Sequence, residues 1–238
     1  MMQPLIPSMA SGFAPVPARY RGVWVRTLLQ TPTQEDRSSF VRWLQTSHWH
    51  ADLRVPTSAR SLTQTNGAYT LEQGISQQGF CGVTEVRQVG ADEVCTWHRR
   101  FDYQPPRPDA DTGTMVFETA HRVVERGIHA EYLEIWERLP ESLGPCMALA
   151  GRTLTGADNG ERLLQAGSCL MRVRPWAECE ISYGRVEQGQ WHIERSTLPE
   201  LEGQMLPLQL SRDNAQTAHV QLGNQHGAFT IMEREAAP

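Results

Sequence analysis

Short segments of period-two alternation recur at roughly 8–12-residue spacing along the whole chain, the pattern of an antiparallel sandwich or barrel. The first is Gly22–Leu29 (GVWVRTLL), followed by Ser39–Gln45 and His48–Val55. Phe80–Gln88 and Glu93–Tyr103 are joined by Val89-Gly90-Ala91-Asp92, which reads as a hairpin. Thr114–Thr119, Arg122–Ile128 and Glu131–Arg138 complete a first set of strands, and Leu139–Pro145 is a natural boundary. The second set comprises Met147–Leu154, Leu163–Arg174, Glu180–Val186, Trp191–Arg195, Leu206–Leu210, Ala218–Leu222 and Ala228–Glu233. Thr70–Gln78 is a weak helical signal, interrupted by Gly74, and Asn66-Gly67 marks a turn. A long series of antiparallel strands has exposed edges that closure removes, so barrels are expected over an open sandwich. The expected fold is thus all-β with very little helix, built from two packed half-chains. Residues 1–18 are expected to form a flexible arm, 19–141 an N-terminal barrel and 142–238 a C-terminal barrel or half-barrel. No residue-level repeat joins the halves.

At 238 residues the chain can bury a large core without a metal or disulfide staple. All 22 basic residues are arginine, which excludes a lysine Schiff base and any phosphate loop ending in Gly-Lys-Ser/Thr. A net charge of −5 with no basic block argues against a nucleic-acid partner. The stretch MMQPLIPSMASGFAPVPARYR has no early positive charge and no continuous apolar core, so a secretory signal is not expected. No apolar run is long enough for a bilayer, so no membrane partner is expected either. Cys81, Cys95, Cys146, Cys169 and Cys179 are an odd number without CxxC spacing, which suits buried reduced thiols and a cytoplasmic protein.

The strand faces carry the functional reading. Trp49, Ala51, Leu53 and Val55 oppose His48, His50, Asp52 and Arg54; Cys95, Trp97, Phe101 and Tyr103 oppose Thr96, His98, Arg100 and Asp102. Both polar rows read as outer faces. Two segments break this alternation: Trp24, Arg26 and Leu28 share a face, as do Tyr132, Glu134 and Trp136. A charge on an apolar face requires a partner, so Arg26 and Glu134 are expected to pair, with Arg99 as a third member. They would either close the barrel as a structural ion pair or anchor a ligand in an aromatic pocket. In the second case Trp24, Trp43, Trp97, Tyr132 and Trp136 supply the walls, and Arg26, Arg99 and Glu134 the polar anchor.

Catalytic motifs are scarce. His48-x-His50 could offer two ligands to a metal with His98 from a neighbouring strand, but a solvated row is the default and no metal or cofactor is expected. No GxSxG, GxGxxG, HExxH or EF-hand pattern occurs. Glu118, Glu125, Glu131, Glu134 and Glu137 read as acids on solvated strand faces.

Gly22-x-Trp24 on the opening strand looks like the first signature of lipocalin-like (calycin) barrels. In that superfamily the tryptophan closes the barrel floor and stacks on an arginine from a late strand. Tyr132-Leu133-Glu134-Ile135-Trp136 and Ile181-Ser182-Tyr183-Gly184-Arg185 resemble a small fungal family of kinase-interacting proteins with a lipocalin-like double barrel and no established activity. The resemblance implies two packed lipocalin-like halves and transfers no catalytic residue. Three functions follow as expectations. The first is binding of a small, mostly apolar or aromatic ligand in the N-terminal barrel. The second is a cofactor-free cyclase, isomerase or decarboxylase with Glu134 as acid/base and Arg26 as oxyanion partner. The third is an interaction module without a ligand. Oligomeric state is not legible.

Overall fold

The computed structural model describes residues 12–56, 77–105 and 110–235. The first half contains β1 (Gly22–Gln30), β2 (Glu35–Asp36), β3 (Phe40–Gln45), β4 (Trp49–Val55), β5 (Gln78–Val89), β6 (Asp92–Asp102), β7 (Asp111–Thr119), β8 (Arg122–Gly127) and β9 (Leu133–Arg138). Each strand pairs antiparallel with its neighbour, and β1 pairs with β9 from Trp24↔Arg138 to Gln30↔Leu133. Eight strands therefore close a barrel, with the two-residue β2 hung on the far end of β1. The second half contains β10 (Cys146–Arg152), β11 (Asp158–Ala166), β12 (Cys169–Arg174), β13 (Glu180–Glu187), β14 (Gln190–Ser196), β15 (Met205–Arg212), β16 (Thr217–Leu222) and β17 (Gln225–Glu235). It closes a second eight-stranded barrel through β10 and β17. The expected all-β architecture is what the chain adopts. Among the described residues helix is confined to three-residue 3-10 turns, and no helix is long and apolar enough to cross a membrane.

Several expectations change in detail. Leu163–Arg174 is two strands rather than one, because Gly167, at φ +54°, turns the chain between β11 and β12. The helical signal at Thr70–Gln78 and the Asn66-Gly67 turn lie outside the described residues, except that Gln78 opens β5. Of the N-terminal arm, residues 1–11 are likewise outside; beyond them Phe13 stacks on His98 and Val16 is buried, its N–H donating to Ser47 O.

The larger correction concerns which way the strands face. The apolar row Trp49, Ala51, Leu53 and Val55 lies on the outside of the first barrel, where it joins Val23, Leu44, Cys81 and Val83. This flank packs against the outer flank of the second barrel: Cys146, Ala148, Leu164, Ala166, Cys169, Met171, Val173, Ile181 and Tyr183. His50, Asp52 and Arg54 consequently point into the lumen, and the expectation of a solvated polar row fails for β4. Alternation gives two faces but does not say which one meets water, and here a second barrel covers the oily one. Arg162 is the one arginine of β11 in this seam; its guanidinium lies 4.9 Å from the Trp49 ring centroid and 5.1 Å from that of Phe101, with both Nη atoms bonded to Asp158.

The barrels meet through equivalent strands, the first four of each closed sheet, so the halves are related by topology although no repeated sequence announces it. The fourth and fifth strands of each also share a device. On β6 an extra residue separates Arg99 from Phe101 opposite Gly82 and Cys81, and on β14 an extra residue separates Ile193 from Arg195 opposite Gly184 and Tyr183. A side chain at Gly82 would stand 2.0 Å from His98 O, and one at Gly184 1.9 Å from His192 O, so each bulge requires glycine across from it. A latch at one end reinforces the seam. Glu233 near the end of β17 accepts from Thr46 Oγ1 (2.7 Å), Ser47 N (3.0 Å) and His48 N (3.3 Å) in the β3–β4 turn.

Candidate functional site

The first barrel is plugged at one end and open at the other. The 3-10 turn Ala18–Tyr20 crosses the closed end, and Trp24 Nε1 donates to Tyr20 O at 2.7 Å. Arg138 from β9 lies 5.2 Å from the Trp24 ring centroid and donates to Arg19 O, Arg21 O and Ala120 O. Trp43 stacks on Trp24 and meets Trp97 and Trp136 edge-on at 5.3 and 5.7 Å. The four indoles thus share one lumen and fill it: the space left beside Trp43, Phe80, Trp97 and Trp136 is about 10 Å³, one water's worth.

Toward the open end the lumen becomes charged. Arg26 Nη1 donates to Glu134 Oε1 at 2.7 Å and Nη2 to Asp36 Oδ2 at 2.8 Å, all three side chains being almost wholly buried. The expected Arg26–Glu134 pair is present, but its third basic member is Arg54, which bridges Asp52 (2.8 Å) and Glu134 (3.5 Å). Arg99, on the inward face with Trp97 just before the β6 bulge, belongs to the same charged layer but does not reach Glu134. It pairs with Asp102 (2.9 Å) and Asp111 (2.5 Å) and lies flat on Phe80, 3.5 Å from the ring centroid. The same bulge sends Phe101 and Tyr103 out to the inter-barrel core, away from the Trp97 side.

Glu125, expected to face water, is 2% exposed inside this network. Tyr132 Oη donates to it at 2.7 Å and Trp136 Nε1 at 3.0 Å. Burial, then the charges of Glu134 and Asp111, push its carboxyl well above the usual range, so it is held protonated. The composition of the network explains this: Asp36, Asp52, Asp102, Asp111, Glu125 and Glu134 face only Arg26, Arg54 and Arg99. Between the ordinary carboxylate range and this raised value the folded chain holds a proton that the unfolded chain has released. Stability therefore falls as pH rises through that window. Glu125→Gln keeps a neutral group that can bond both Tyr132 and Trp136. Urea unfolding across pH 5–9 is expected to show a flatter decline for this variant than for the parent; parallel curves would mean that Glu125 is ionised in the folded state.

Above the charged layer a cleft of about 610 Å³ opens at the barrel mouth, between the end of β6, the start of β7 and the residues preceding β9. Trp97, Arg99 and Tyr132 line it together with His98, Asp102 and Asp111. Trp97 and Asp111 also border the small internal void, so they form the partition between cleft and buried network. Of the residues singled out from sequence, Trp97, Arg99 and Tyr132 meet here; Trp24, Arg26, Trp43, Glu134 and Trp136 lie beneath, packed rather than accessible. Arg54, Asp52, Asp36, Asp111 and Glu125 escaped sequence reasoning. For Arg54 and Asp52 the signal was their shared parity with His50 on β4.

The three histidines do not converge. His48 Nδ1 faces Glu233 at 3.2 Å, His50 Nδ1 bonds Thr84 Oγ1 inside the barrel, and His98 Nε2 meets Glu85 on the outside. Burial, and after it the charge of Arg99, holds the His50 imidazole well below its usual value, hence neutral. Among the described residues no three metal-ligating side chains come together.

No family profile and no curated protein sequence matches the chain. One solved structure is similar, that of the uncharacterised protein YLR301w from Saccharomyces cerevisiae. It superposes with a TM-score of 0.61 over 90% of this chain and 99% of its own, at 12% identity, a likeness of fold alone.

Proposed function

We propose that this chain is a lipocalin-like binding protein that takes a small, mostly apolar or aromatic ligand at the open end of its N-terminal barrel. The observation that carries this reading is the 610 Å³ cleft whose walls combine an indole, a phenol and the Arg99 guanidinium over an otherwise filled barrel. Trp97, Phe101 and Tyr132 give the cleft aromatic surface for such a ligand, and the surrounding His98, Arg99, Arg100, Asp102 and Asp111 give it polar groups to orient one. The lipocalin-like assignment is supported by the plugged end, where Trp24 is held by the preceding 3-10 turn and covered by Arg138 of the last strand. A cytoplasmic setting is part of the reading, and five unpaired cysteines support it. Titration of lipids, haem and aromatic metabolites, followed by tryptophan fluorescence, tests the proposal. At least one class is expected to saturate, with affinity falling about tenfold or more in Trp97→Leu. No saturable response from any class, or binding indifferent to Trp97, Arg99 and Tyr132, overturns it.

A second reading, a cofactor-free enzyme, is favoured by one observation: Tyr132 lines the cleft while its hydroxyl bonds the protonated Glu125. Such a pair is a proton donor at the rim of an aromatic site. Glu125 and Tyr132 take the place in this reading that Glu134 and Arg26, locked in their ion pair, had in the sequence expectation.

A further inference from the structure

The second barrel differs from the first in what fills it. Its lumen carries no stack of indoles; at the end where β10 begins and β17 finishes, an open cavity of about 230 Å³ remains. Met147 and Leu149 of β10, Leu163 of β11, Leu170 of β12, Leu208 of β15 and Val220 of β16 line it. These side chains come from five strands and face inward, since the alternate residues Ala148, Leu164 and Met171 belong to the inter-barrel core. Leu210, also lining, is 40% exposed although it stands on the inner face, which marks the mouth. The rim is polar: Gln165, Arg234 and Glu235. Glu235 is already engaged by Arg21 and Ser47, and Gln165 Nε2 donates to Gly167 O, which leaves Arg234 as the rim cation. Beside the cavity, β14 and β15 share only three register pairs, Gln190–His192 with Met205–Pro207, the shortest strand-to-strand seam of this barrel.

We propose that the lumen of the C-terminal barrel is a second ligand site, and that it takes the alkyl chain of a medium-chain fatty acid with its carboxylate at Arg234. An apolar cavity of about 150 Å³ lined by aliphatic side chains stays dry and admits a molecule the size of benzene. The larger lumen here has room for a short chain but not for a long one. No charged group lines its depth, so a charged head belongs at the rim. This site is independent of the cleft on the first barrel.

Calorimetric titration of the full chain with hexanoate, octanoate and octan-1-ol tests the proposal. Each buried CH₂ is expected to contribute about fourfold in affinity, so octanoate should bind roughly fifteenfold more tightly than hexanoate. Arg234→Gln, at an exposed position, should weaken octanoate about tenfold and leave octan-1-ol unchanged. Leu163→Trp should abolish binding of both by filling the lumen. Trp97→Leu should leave octanoate binding intact, which separates this site from the cleft. Absence of saturable octanoate binding overturns the proposal. So does octanoate affinity unaltered in Arg234→Gln, a readout that does not depend on whether Leu163→Trp folds.

Discussion

Arg26→Met is expected to lower the unfolding free energy by about 3–5 kcal/mol, the range for removing one partner of a buried ion network. The cause is what remains. Glu134 and Asp36 both lose their closest cation at 2.7 and 2.8 Å, inside a lumen where acids already outnumber bases and where burial, with the charges of Glu134 and Asp111, already raises the Glu125 carboxyl well above its usual range. Arg54 reaches Glu134 only at 3.5 Å and cannot serve Asp36 as well. The companion variant Arg26→Met/Glu134→Gln/Asp36→Asn removes the orphaned charges and should recover much of the loss. Chemical denaturation of the three proteins decides the matter: a single variant within about 1 kcal/mol of the parent would mean that the network is solvated.

Trp43→Ala is expected to destabilise the first barrel by about 3–5 kcal/mol. Trp43 is 1% exposed and touches Tyr20, Trp24, Trp97 and Trp136, so no neighbour can collapse into its place without breaking another contact. Its loss should also turn a filled lumen into a vacant one. Added indole should then bind the variant and raise its melting temperature in proportion to the logarithm of ligand concentration, while leaving the parent unaffected. An unaltered melting temperature in saturating indole would indicate that the barrel has collapsed around the gap.

These expectations rest on residues that the sequence revealed to different degrees. The all-β class and most strands were legible because period-two alternation and turn chemistry are local, whereas the turn at Gly167 that splits Leu163–Arg174 and the closure of the second half were not. The pairing of Arg26 with Glu134 was legible too, since each stands on an otherwise apolar face. Arg54 and Glu125 were not. For Arg54 this required knowing that the oily side of β4 is covered by another barrel, a non-local fact, and for Glu125 that the Val123 face of β8 is the inner one. Phe101 and Tyr103, grouped with Trp97 on one face, were placed wrongly for another reason. A one-residue bulge opposite Gly82 reverses which residues of β6 face inward, and nothing in the Trp97–Tyr103 pattern marks it.

The orientation of β4 bears on how the two halves can exist. In an isolated small barrel, hydrophobic side chains gather at the centre and charges coat the rim. The first barrel of this chain also carries them on its flank, with Trp49, Leu53 and Val55 turned toward its neighbour. Neither half is therefore a module that could be cut free or shuffled into another protein: each serves as the other's non-aqueous surroundings. Severed between Arg138 and Cys146, the pieces would be sticky fragments rather than domains.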